Sequence, residues 1–139
     1  MELPEELIGL PIKRGAILHS YIFKNIDHGK FFVVIGVSED YVVGFFFINS
    51  NIAPAIMNKP EQLNMQYLLK RKDYDFLRYD SFLCCTNILP INKSELVQSI
   101  QKGETNLVGE LLPQHETEIL DMVRESKLFS KIEKDTFFY

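Results

Sequence analysis

Residues 30–49 read KFFVVIGVSEDYVVGFFFIN, two apolar runs rich in β-branched and aromatic residues with one short polar break. No other stretch of the chain restricts the fold so tightly. Lys30–Val37 is too uninterrupted for an amphipathic helix and too short for a membrane span. It has the composition of a strand buried on both faces. Ser38–Asp40 supplies a tight turn, and Tyr41–Asn49 returns as the partner strand of a β-hairpin. Gly36 and Gly44 lie inside these strands, where glycine marks a bulge or a sharp bend.

The flanks extend the pattern. Arg14–Phe23 (RGAILHSYIF) reads as a strand opening after a turn at Gly15, and Lys24–Gly29 as a polar connector. Pro4, Glu5 and Glu6 suit a first helical turn ahead of it. Ser50–Asn64 holds two prolines and three asparagines and reads as a long loop with room for one helical turn. Met65–Arg71 reads as a strand, and Ser81–Leu89 as another, ended by Pro90.

The period then lengthens to that of helices. In NKSELVQSIQKG, Asn92 is a good N-cap, Glu95 stands three residues on, and Gly103 closes the segment. Leu96, Val97 and Ile100 form its apolar face. Glu104–Leu112 reads as a connector with one extended stretch. A second helix follows over PQHETEILDMVRESKLFSK: Pro113 starts it, Glu116 and Glu118 come early, and Arg124 and Lys127 come late, as the helix dipole favours. Leu112, Ile119, Leu120 and Val123 line one side.

Strands followed by helices predict an α+β class: a small, strongly bent antiparallel sheet or barrel with two C-terminal helices. The 139 residues fit a single domain, mainly β over 14–89 and mainly α over 90–130. Nothing resembles a basic leader before an apolar stretch, and no apolar run reaches the roughly 18 residues of a membrane span. Cys84 and Cys85 are adjacent and point to opposite faces of a strand, so a mutual disulfide would be strained. They read as core fillers in a reducing, cytoplasmic setting, the other reading being a redox or nucleophilic cysteine. No Cys/His cluster suggests a metal, and no phosphate-binding loop or nucleophile elbow is present.

The net charge of −4 excludes attachment to nucleic acid by bulk charge. Residues 1–80 hold 9 basic and 10 acidic side chains, and residues 81–139 hold 6 and 9. Any nucleic-acid contact therefore needs a local basic patch. Lys13 and Arg14, Lys24, Lys30, and the run Lys70, Arg71 and Lys72 all fall near predicted strand ends. If those ends share one rim, then with Tyr67, Tyr74 and Phe76 they form a surface for single-stranded RNA, by phosphate contact and stacking. The competing reading is a solvated rim balanced by Asp73 and Asp75. Of the three histidines, His115 reads as solvated and His19 as structural, while His28 lies in a connector, where function concentrates.

The arrangement resembles the PemK/MazF-like toxins of bacterial toxin–antitoxin systems. RGAILHSYIF stands where members have a "GD(I/V)" strand, HGKFFVVIG where they have "(K/R)RPALVIS", and FFFINSN where they have "ITS" or "ITT". SFLCCTNILPI and VGELLPQHETEILDMV are similar to the later strand and the C-terminal helix. The likeness covers residues 14–128.

It implies an SH3-like barrel, a homodimer, a cognate antitoxin as partner, and cleavage of single-stranded RNA without a metal or cofactor. The RNA 2′-OH is then the nucleophile. Lys30 takes the place of the family's arginine, and Asn49 or Ser50 that of its threonine. Lysine keeps the charge but not the bidentate fork. His28, from its chemistry alone, is the candidate acid or base. Arg14, Lys24, Lys70, Arg71 and Lys72 are the candidate RNA contacts. The alternatives are a non-catalytic module of the same fold binding a protein or RNA, and a structural subunit with no ligand.

Overall fold

A computed structural model of the chain describes residues 12–22, 29–47 and 59–139. Within them the hairpin foreseen from the sequence lies at the centre. Strand β1 is Ala16–Ser20, β2 is Lys30–Val37 and β3 is Tyr41–Phe47. The turn between β2 and β3 is held by Ser38, whose N–H donates to the Tyr41 carbonyl at 2.8 Å and whose Oγ accepts from the Tyr41 N–H at 3.2 Å. A helical turn α1 (Pro60–Leu63) precedes β4 (Gln66–Leu69), and a 3₁₀ turn (Arg71–Asp73) follows it. Next come β5 (Ser81–Asn92), α2 (Lys93–Gln101), β6 (Thr105–Glu110), α3 (Pro113–Glu125) and α4 (Lys131–Phe137).

The six strands form one antiparallel sheet in the order β4-β5-β3-β2-β1-β6. The class is α+β, as expected. The sheet is open, with β4 and β6 as its edges. β2 is covered on both faces, as its unbroken apolar run requires. On one face Ile17, Val33, Ile35, Val43, Phe45 and Leu83 meet Ile119, Leu120 and Val123 of α3, together with Phe129 and Phe138. On the other face Ala16, Leu18, Phe32, Val34, Val42 and Ile91 meet Leu96 of α2.

The two strand glycines fall where the register slips, between Val34 and Gly36 on β2 and between Gly44 and Phe46 on β3. A β-carbon at Gly44 would collide with the Val33 carbonyl oxygen, so the strands approach this closely because no side chain intervenes. These irregularities bend the sheet. Its curl is visible in the contacts between its edges. The Tyr74 hydroxyl, just beyond β4, accepts from the Leu112 N–H, just beyond β6, at 3.0 Å. Phe76 lies against Gly109 of β6.

Helix punctuation follows the sequence closely. Asn92 caps α2, accepting from Ser94 and Glu95 N–H groups, and Gly103 ends that turn with φ of 78°. Pro113 opens α3. Three features depart from expectation or extend it. β5 continues through Pro90 to Asn92. This is tolerated because β4 pairs with β5 only from Ser81 to Cys84, so the missing N–H costs nothing on the unpaired side. The connector after α2 is a full strand, β6. The long C-terminal helix breaks after Glu125, and α4 restarts at Ser130, whose capping box with Glu133 is a signal present in the sequence. No helix among the described residues is long and apolar enough to cross a membrane.

Candidate functional site

Strand direction sorts the candidate residues into two ends of the sheet. Ser20 faces Lys30 and Thr105, Phe47 faces Leu83, and Leu69 faces Ser81. These pairs define one end. The opposite end is marked by Ala16 with Glu110, Val37 with Val42, and Tyr41 with Asn92.

Lys30, the half-buried first residue of β2, belongs to the first end. So do Lys70, Arg71 and Lys72, which follow β4 and are all exposed. Their backbone is fixed locally. The Asp73 N–H donates to the Lys70 carbonyl at 3.0 Å, and the Arg71 N–H donates to Asp80 Oδ1 at 2.8 Å. With strands about 4.8 Å apart, the three steps from β4 to β2 span at most about 14 Å. A few nucleotides of single strand cover that distance. Lys24, His28, Asn49 and Ser50 lie outside the described residues.

Arg14 sits at the other end and is committed to the fold. Its Nε donates to the Ile35 carbonyl at 2.9 Å, and Nη2 donates to the Phe137 and Tyr139 carbonyls at 3.0 and 3.3 Å. Burial and the charge of Arg124 pull its pKa below the ordinary value, with Glu116 opposing them. The guanidinium stays charged near neutrality. Arg124 completes this clamp: its Nε donates to the Phe138 carbonyl at 2.5 Å, and its guanidinium stacks 4.6 Å from the Tyr139 ring centre. Two arginines thereby hold the end of α4 against β2.

The aromatics near the basic run also have structural work. Tyr74 is 5% exposed. Its hydroxyl accepts from Leu112 and lies 2.6 Å from His115 Nδ1. His115 is therefore anchored, not freely solvated as its helix position suggested. The Tyr67 hydroxyl donates to Glu118 Oε1 at 2.9 Å. Phe76 stacks on Phe31 with centroids 5.0 Å apart. Together these side chains fill the seam between β4 and β6.

Rings available for stacking are instead Tyr21 (56% exposed) and Tyr79 (50%), one following β1 and one preceding β5 at the Lys30 end. Arg78, also exposed, adds a cation there. Sequence reasoning passed over these three, although Arg78 and Tyr79 stand in the same charged loop as the lysines. The loop is mixed in charge: Asp73, Asp75 and Asp80 accompany Lys70, Arg71, Lys72 and Arg78.

Of the two cysteines, Cys84 is half-buried, beside Gln66 Nε2 at 3.4 Å and Thr86 Oγ1 at 3.2 Å. Cys85 is fully buried and burial raises its thiol pKa, with the neighbouring Cys84 adding to the shift, so it persists as an inert thiol. No family model matches this chain, and no curated protein matches it.

Proposed function

We propose that this protein is a toxin-like endoribonuclease that binds single-stranded RNA at the Lys30 end of its sheet and cleaves it without a metal. The observation supporting this reading is the convergence of Lys30 with Lys70, Arg71 and Lys72 at one end, flanked by the exposed rings of Tyr21 and Tyr79. Phosphate contact and base stacking need that combination. In the reaction the 2′-oxygen attacks the adjacent phosphorus and the bond to the 5′-oxygen breaks. One proton must leave the 2′-OH and one must reach the departing oxygen. Lys30 would neutralise charge on the phosphate, and Asn49 or Ser50 would orient it. The same reading carries a cytoplasmic homodimer restrained by a cognate antitoxin.

Overproduction of the wild-type protein should halt growth, and the purified protein should cut single-stranded RNA in EDTA. Lys30→Ala should abolish both effects. A harmless wild-type protein that leaves RNA intact refutes the reading.

One feature favours a second reading, a non-catalytic module that binds a protein partner. Among the described residues β6 pairs only with β1; Phe76 and Tyr74 reach it at Gly109 and Leu112, while Leu107 (46% exposed) and Val108 stand out on the stretch before them. An extended segment of a partner could add to it as a further strand. In that case Leu107→Lys would weaken partner binding while Lys30→Ala would not.

A further inference from the structure

His19 combines two properties that seldom occur together. Its ring is fixed by packing. It stands on β1 opposite Phe31 on one side and Asn106 on the other. Tyr21 meets it edge-on, with centroids 5.1 Å apart and planes at 83°, and Phe31 meets it at 4.8 Å and 61°. The backbone of Gly29 closes a third side, where a β-carbon would fall inside contact distance of the imidazole. Yet among the described residues neither ring nitrogen makes a hydrogen bond, and neither is an unsatisfied buried atom. His115 is the contrast, with Nδ1 engaged by Tyr74.

A structural histidine in a half-buried position ordinarily has at least one nitrogen satisfied by protein. A simple surface histidine is not held on three sides. A ring that is held, with its nitrogens open, has the pre-orientation that proton transfer to a bound ligand requires.

Its surroundings suit a phosphodiester. Lys30 stands between Gly29 and Phe31, and by strand alternation it belongs to the opposite face from His19, so the two groups would meet one phosphate across the end of the sheet. The loop carrying Asp75 and Arg78 reaches this face through Phe76, which stacks on Phe31. Tyr21 contributes a phenol, and its N–H donates to the carbonyl of Glu104, just ahead of β6, at 2.9 Å. Asn106 is the polar residue paired with His19 from β6.

We propose that His19 is the acid–base group of this site, a role that rests on the RNA-cleaving reading above. Its free imidazole nitrogen takes the 2′-OH proton as the 2′-oxygen bonds to phosphorus. The phosphorus–O5′ bond breaks, solvent water protonates the 5′-oxygen, and the imidazolium returns its proton to solvent. The products are a 2′,3′-cyclic phosphate and a 5′-hydroxyl end. Tyr21 holds the ring and offers its exposed face to a base.

The test uses purified full-length protein, an end-labelled single-stranded RNA in EDTA, and a 2′-O-methyl RNA oligomer that binds but cannot be cut. His19→Gln, which keeps a side chain of similar size, and His19→Ala should each lower kcat by about 10²-fold or more with little change in KM. Free imidazole should restore part of the rate to His19→Ala and none to Lys30→Ala. The His19 ring resonances should move when the 2′-O-methyl oligomer is added to the wild-type protein, a readout independent of variant folding. If the wild type cleaves RNA but His19→Gln retains its kcat and the resonances stay still, the His19 assignment falls while the RNA reading stands. Binding of the oligomer without cleavage of RNA overturns the catalytic role of His19. Neither binding nor cleavage overturns both.

Discussion

The seam between the edge strands offers the sharpest test of how this sheet is held in its curl. Tyr74 has one hydroxyl serving two partners across it: the Leu112 N–H at 3.0 Å and His115 Nδ1 at 2.6 Å. The arrangement that satisfies every group has the phenol accepting from Leu112 and donating to His115. Tyr74→Phe removes that oxygen and leaves the ring packing in place. A neutral hydrogen bond contributes about 1 kcal/mol net, and an orphaned buried partner costs about 1–3 kcal/mol. Here both partners recover something, because Leu112 is 42% exposed and His115 is half-buried, so water reaches them. The expected loss is therefore about 1–2 kcal/mol, below twice the full penalty.

With a urea m-value of about 2 kcal/mol per M, that loss moves the unfolding midpoint down by about 0.5–1 M with the slope unchanged. Amide exchange at Leu112 should accelerate as the seam loosens. Tyr79→Phe is the control, since Tyr79 is half exposed and its ring lies outside the seam. A Tyr74→Phe midpoint indistinguishable from that of Tyr79→Phe would show that the seam is closed by packing alone, and the hydrogen-bond argument would be wrong.

Two further expectations concern the scaffold. Burial, then the hydrogen bond to Glu118, raises the Tyr67 pKa, and burial raises that of Tyr74 against the opposing bond from Leu112. A phenol whose folded pKa is raised contributes stability that is complete below the unfolded value of about 10 and is lost as pH climbs past it. Urea midpoints should accordingly hold up to about pH 10 and fall progressively above it, and the Tyr67→Phe/Tyr74→Phe double variant should flatten that fall. At Gly36 a β-carbon would run into the Phe137 carbonyl oxygen that Arg14 also binds. Gly36→Ala should thus lift the end of α4 and cost about 1–3 kcal/mol, read as a lowered melting temperature and increased exchange at the Phe138 amide.

What the sequence made legible was local. The β2–β3 hairpin declares itself because period, composition and the three-residue Ser38–Asp40 break agree over twenty residues. Asn92 and Pro113 mark helix starts because capping depends on neighbours within a turn. The missed features depend on distant partners. β6 carries exposed Asn106, Leu107 and Val108 and has little strand character until it meets β1. The buried hydroxyl chain of Ser20, Thr105 and Ser99, with contacts of 2.6 and 2.7 Å, joins residues 85 positions apart. Pro90 resembles a strand stop unless β4 is known to end short of it.

The candidate site divides along the same line. Lys30 and Lys70–Lys72 were legible as a possible rim because strand directions follow from counting turns. Arg14 was grouped with them on charge, yet its nearest acceptors belong to residues 35, 137 and 139, which no local pattern reveals. Tyr67, Tyr74 and Phe76 were read as stacking rings for the same reason, and the curl of the sheet draws them into the seam. Fold and site compete here for one set of residue types. A bent open sheet must cover its edges, and this chain covers them with the aromatics nearest its basic run. The groups left over are the exposed Tyr21 and Tyr79, the imidazole of His19 and the exposed cations of the loop from Lys70 to Arg78. A ligand surface on this protein is therefore found by subtracting the side chains the curl consumes, and what remains is basic and aromatic and lies at the end of the sheet where β2 begins.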